Sequence, residues 1–126
     1  MNPLRGTKFV KGIIKGMNKY ERLKRELEVS GTGKMKCFGN SMTPILKNAT
    51  LNTYVVEKEY EVGDIVFCKV KGRYIDAHLI TKKSNNGVRI EYLISNNHGH
   101  DNGWTHVVYG KVVEAIDNSG NKKQFT

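Results

Sequence analysis

From residue 34 onward the chain is a series of short β-prone runs cut by turn signals, and this pattern limits the fold more than any other feature. Thr53–Glu57 is one such run. Asp64–Val70 is the clearest, rich in β-branched and aromatic side chains. A turn at Lys71-Gly72-Arg73 follows, and Tyr74–Thr81 reads as the hairpin partner. Ser84-Asn85-Asn86-Gly87 is a second turn, in which Asn-Gly favours the primed hairpin types. Val88–Ile94 and Val107–Ile116 complete the strands, and Asn118-Ser119-Gly120-Asn121 precedes a short tail. With 126 residues there is room for one modest core. The expected fold is mostly β, a curled antiparallel sheet or partial barrel, with an N-terminal α-helix.

The N-terminal third has a different pattern. Over residues 3–28, Val10, Ile13, Ile14, Met17, Tyr20, Leu23 and Leu27 recur at helical spacing with basic residues between them. Pro3 suits a helix start, whereas Gly12 and Gly16 weaken the first half. Ser30-Gly31-Thr32-Gly33 ends the helix and reads as a hinge. The expected division is a basic amphipathic arm and hinge over residues 1–33, then a β domain over 34–126.

Charge follows the same division. Of the formal net charge of +9, the first 36 residues carry +7, from ten basic and three acidic side chains. Such a segment suits an anionic partner, either a protein assembly or nucleic acid, and a solvated helix face is the plainer alternative. No apolar run is long enough to cross a bilayer, and no secretory h-region is visible. The sequence therefore predicts a cytoplasmic protein without a transmembrane anchor. Cys37 and Cys68 form no disulfide framework and read as reduced thiols.

The segment Gly39-Asn40-Ser41-Met42-Thr43-Pro44 carries candidate chemistry. Pro44 has no N–H and a fixed φ, so a regular element breaks there and a serine hydroxyl can stand clear of the sheet ladder. His78 lies in Gly72-Arg73-Tyr74-Ile75-Asp76-Ala77-His78, and Asp101 in Asn96-Asn97-His98-Gly99-His100-Asp101-Asn102. A serine hydroxyl needs a base to take its proton. Imidazole can do this near neutral pH, and a carboxylate on its other nitrogen fixes the tautomer. Ser41, His78 and Asp101 are the expected catalytic residues. Asp76, on the same strand as His78, is the less suitable carboxylate. Lys82 is an alternative base, but it lies four residues beyond His78. The Ser41 N–H and Asn40 are candidate oxyanion donors, with Met42, Pro44 and Asn102 as support. His98, His100 and His106 with Asp101 match no standard metal-ligand spacing, so neither a metal nor a cofactor is expected. Trp104 reads as a packing anchor.

These boxes resemble the signal peptidase and LexA-like serine peptidase superfamily over roughly residues 36–116. The Ser-Met-x-Pro of its nucleophile box is Ser41-Met42-Thr43-Pro44 here, and its Gly-Asp strand opening is Gly63-Asp64. The Gly72-Arg73-Tyr74-Ile75-Asp76-Ala77-His78 approach, one residue shorter than the Gly-Arg-x-Ile-x-x-x-His of that type, and the Asn/Asp-rich turn resemble the archaeal and endoplasmic-reticulum signal peptidases. Bacterial signal peptidases and LexA-type proteins place a lysine base there instead. The resemblance implies a serine endopeptidase with a Ser-His-Asp triad that cuts an extended protein or peptide substrate paired to a sheet edge. The chain itself is one candidate substrate, at the Ser30–Gly33 linker. The chain departs from the family at Gly39, where some members place a serine that helps the oxyanion. It also shows neither the signal peptidases' anchor nor the repressors' helix-turn-helix. Small stand-alone members of this kind are typical of phages. The alternative is thus a non-catalytic interaction module of the same fold, docked through its basic arm on an assembly such as a virion.

Overall fold

The computed structural model describes residues 16–125; the expected helical positions Val10, Ile13 and Ile14 lie outside them. Helix α1 spans Lys19–Ser30. It starts on Asn18, whose side chain accepts from the Glu21 N–H, a standard N-cap arrangement. It ends on Gly31, which adopts φ 76° while its N–H donates to Leu27 O.

Strand β1 (Thr32–Cys37) follows at once. Then come β2 (Thr50–Val55), β3 (Ile65–Val70), β4 (Arg73–Asn85), β5 (Ile90–Ser95), β6 (Asp101–Thr105), β7 (Val108–Asp117) and β8 (Lys122–Gln124). The protein is mostly β, a single curled antiparallel sheet with one N-terminal helix among the described residues. The strand order is β1-β2-β7-β3-β4-β5-β6, with β8 on the outer end of β7. The sheet curls until β6 meets β3: Thr105 Oγ1 donates to Lys69 O at 2.6 Å, and just beyond β6 Val107 O accepts from the Lys69 N–H at 3.0 Å.

The N-terminal segment differs from the sequence expectation. Residues 30–33 are not a hinge, because Gly31 caps the helix and Thr32 already pairs with Val55. Nor is α1 a detached arm. Leu23 and Leu27 are 1% and 3% exposed and belong to the core with Met35, Tyr54, Phe67 and Val112. Tyr20 stacks on Tyr74 at 5.5 Å between ring centroids and on Phe67 at 6.3 Å. The helix sits so close that a Cβ on Gly33 would fall 2.8 Å from Leu23 Cδ1. Arg22 and Arg25 face solvent, so in this helix the basic residues cover the outer side of a core element. The Ser30–Gly33 stretch is hydrogen-bonded to β2 and its exit: Thr32 Oγ1 donates to Tyr54 O, and Gly31 O accepts from the Val56 N–H.

Two other strands depart from the sequence reading. β4 runs on to Asn85, which moves the hairpin tip to Asn86–Arg89. Asp101 and Asn102, expected to end the Asn96–Asn102 turn, open the edge strand β6. Trp104 on that strand is 45% exposed, so it anchors packing only in part.

Candidate active site

Ser41 sits on a short turn between β1 and β2. Met42 and Leu46 are buried and pin the turn to the core, while Pro44 faces outward, joined to Thr43 by a cis peptide bond. The Thr43 N–H donates to Asn40 O and the Leu46 N–H to Met42 O, so the backbone folds tightly just after the serine. Gly39, with φ 107°, lets the chain leave β1 abruptly, and its N–H donates to Asn48 Oδ1 at 2.7 Å.

This turn brings Ser41 onto the face of β4 that carries His78. Ser41 Oγ lies 3.0 Å from His78 Nε2. The other ring nitrogen, Nδ1, lies 2.6 Å from Asn102 Oδ1 on β6. A carbonyl oxygen can only accept, so Nδ1 carries a proton, and in the neutral ring Nε2 then presents a lone pair to the serine O–H. This is the tautomer a general base requires. All three side chains are half-buried.

The third position differs from the sequence expectation. Asp101 does not reach His78; its carboxylate accepts from Ser95 Oγ at 2.7 Å, and Ser95 Oγ lies 2.8 Å from Thr81 Oγ1. Neighbouring residues on a strand point to opposite faces, so placing Asn102 toward the imidazole turns Asp101 away. Asp76 makes no hydrogen bond to His78 either; its carboxylate accepts from the Ala77 N–H. Lys82 is exposed and makes no hydrogen bond to Ser41. Its neighbour Lys83 pairs with Glu59 and Glu61.

Among the described residues, the Ser41 and Met42 N–H groups donate to no protein acceptor. The Asn40 side chain is exposed and likewise unpaired among the described residues. No group of three His, Cys, Asp or Glu side chains is placed to hold a metal among the described residues.

A narrow cleft of about 20 Å3 opens beside Ser41, lined by Cys37, Phe38, Met42, Thr50, Asp76 and Ala77. It has room for a group the size of a water or a methyl. Larger clefts lie elsewhere, including one of about 540 Å3 beneath the β4–β5 tip. Cys37 Sγ is 3.2 Å from Tyr54 Oη, and the Tyr54 hydroxyl donates to Asp76 O at 2.6 Å, which ties β1 and β2 to the strand bearing His78. Burial, aided by the Asp76 carboxylate, pushes the Cys37 thiol up to about 11. At pH 8 that leaves about one thiol in a thousand ionised, too few for a competing nucleophile. Iodoacetamide at pH 8 should therefore spare Cys37 in the native protein and alkylate it in denaturant. Rapid native alkylation, read by mass spectrometry, would show that the cleft opens.

Searches of family models, curated proteins and solved structures return no match to this chain. The site is therefore read from its own geometry.

Proposed function

We propose that the protein is a serine endopeptidase of the signal peptidase and LexA-like type, with Ser41 as nucleophile, His78 as general base and Asn102 as the residue that orients the imidazole. The 3.0 Å contact between Ser41 Oγ and His78 Nε2 carries this reading, supported by the 2.6 Å contact on the opposite ring nitrogen. In the acylation step Ser41 Oγ attacks the scissile carbonyl carbon while its proton passes to His78 Nε2. The oxyanion meets the Ser41 and Met42 N–H groups. The imidazolium then gives its proton to the leaving amine, and the C–N bond breaks to leave an acyl-serine. Water, deprotonated by the same nitrogen, hydrolyses the ester and frees Ser41.

The substrate is an extended peptide. β1 stands at the end of the sheet order and pairs only with β2 among the described residues, so its other edge can take an added strand leading toward Ser41. The narrow cleft favours a small side chain beside the scissile bond. A second reading, a non-catalytic module of this fold that docks through its basic N-terminal segment, is favoured by one observation. The imidazole partner is an amide, which stabilises an imidazolium less than a carboxylate does.

A fluorophosphonate probe separates the two. Peptidase chemistry should give covalent labelling of the wild type that is absent in Ser41→Ala. Equal labelling of both proteins, or none of either, would favour the module.

A further inference from the structure

The nucleophile turn makes its hydrogen bonds beyond the sheet mainly to one short segment, the Asn96–His100 turn that enters β6. The Asn97 N–H donates to Ser41 O at 2.8 Å, and Asn97 Nδ2 donates to Thr43 O at 3.0 Å. His98 Nε2 lies 3.0 Å from Asn40 O and 3.2 Å from Thr43 Oγ1. The Thr43 hydroxyl already donates to Asn40 O at 2.9 Å, so a proton on His98 Nε2 satisfies both oxygens. The carbonyls of residues 40, 41 and 43 are thus held by two consecutive side chains and one amide.

The clamping turn is itself braced. Asn96 Oδ1 accepts from the His98 N–H at 2.8 Å and the His100 N–H at 2.9 Å, and the Asn96 N–H donates to His100 O. Asparagine suits such a turn because its side chain can replace a backbone acceptor. Two residues further on, the same chain delivers Asn102 to His78 Nδ1. One segment, 96–102, therefore holds the serine by its backbone and the imidazole by its side chain.

We infer that Asn97 and His98 are positioning residues of this site: they clamp the 40–43 turn so that Ser41 Oγ stays in register with His78 Nε2. The inference rests on the peptidase reading for its catalytic consequence, but the clamp concerns a hydrogen bond that can be observed without turnover. Neither residue touches a substrate or the reacting atoms. Their side chains act through the backbone on either side of Ser41, at Asn40 and Thr43, and a displacement of the serine by about 1 Å can cost on the order of 100-fold in rate.

Two readouts on the full chain test it: the fluorophosphonate labelling rate of Ser41, and the His78 Nε2 resonance in 15N-histidine-labelled protein, with Ser41→Ala as the reference for a lost contact. His98→Ala and Asn97→Ala should slow labelling roughly 10- to 100-fold. Both should also move the His78 resonance toward its position in Ser41→Ala. His98→Gln, whose amide can donate to Asn40 O, should restore both values, and Asn97→Ser gives a second, milder variant at the other position. If the wild type is not labelled but the clamp variants still shift the His78 resonance, the peptidase reading fails and the clamp stands. If the clamp variants leave that resonance at its wild-type position, the clamp is overturned whatever the labelling shows. If Ser41→Ala itself leaves it unmoved, both readings fall.

Discussion

Replacing His78 with alanine should lower the fluorophosphonate labelling rate of Ser41 by about two to four orders of magnitude, the usual contribution of a positioned general base. Without the imidazole, Ser41 Oγ loses the acceptor 3.0 Å away, and its hydroxyl is again a weak nucleophile. The Asn102 series should rank below it. Asn102→Leu removes the acceptor that keeps the proton on Nδ1, so the ring can turn or change tautomer; a fall of about 10- to 100-fold is expected from lost orientation. Asn102→Asp keeps an acceptor at the same place and should retain or exceed the wild-type rate. Asp101→Asn should have little effect, because that carboxylate serves Ser95. Wild-type labelling by His78→Ala would remove the base from the mechanism. A collapse in Asp101→Asn with no effect in Asn102→Leu would return the orienting role to Asp101.

A chain beginning at residue 31 should lose cooperative unfolding. Leu23 and Leu27 are almost fully buried, and truncating one such leucine to alanine costs about 2–5 kcal/mol. Removing the whole helix also uncovers Met35, Phe67 and Tyr109 and abolishes the stacking of Tyr20 on Phe67 and Tyr74. A small domain has about 5–15 kcal/mol in total, so little would remain. Guanidinium melts followed by circular dichroism decide the point. A truncated protein with a wild-type midpoint would show that the β sheet is self-sufficient and α1 merely accessory. Leu27→Ala in the full chain should give the graded form of the same result, a lower midpoint with a cooperative transition.

Much of the sheet was legible because its strands carry β-branched and aromatic runs between clear turns. β3 has Ile65, Val66, Phe67, Cys68 and Val70 all buried, and it matches the run Asp64–Val70 almost residue for residue. β1 was not assigned as a strand. Its inward positions are Gly33, Met35 and Cys37, and a glycine at the first of them reads as a breaker although it is there to admit Leu23. Ser41 and His78 were legible as chemistry from their local boxes. The choice between Asp101 and Asn102 was not, because it depends on the phase of a five-residue edge strand. β6 joins β5 through an irregular register between Ile94 and Ser95, and nothing in the residues themselves sets that phase. Composition favoured the carboxylate and geometry chose the amide. Asn97 and His98 were hidden for a similar reason: turn residues look alike in sequence whether they brace only themselves or a distant loop. Charge alone does not separate a docking arm from the wet side of a core helix. The spacing of Leu23 and Leu27 places both on one helix face, and Arg22 and Arg25 lie on the exposed side.

The β4–β5 hairpin offers a place to open the polypeptide. At its tip Val88 is 89% exposed, and the Gly87 and Val88 amides are satisfied locally by the Asn85 and Asn86 side chains. A break between Asn86 and Gly87 would leave Ser41 and His78 on one fragment, with Asn97, His98 and Asn102 on the other. The β2–β7, β3–β7 and β4–β5 ladders all cross that division, so the fragments have three sets of backbone hydrogen bonds through which to reassociate. The same position suits an inserted domain or new chain termini, with Ser41 and Asn102 then encoded on separable halves.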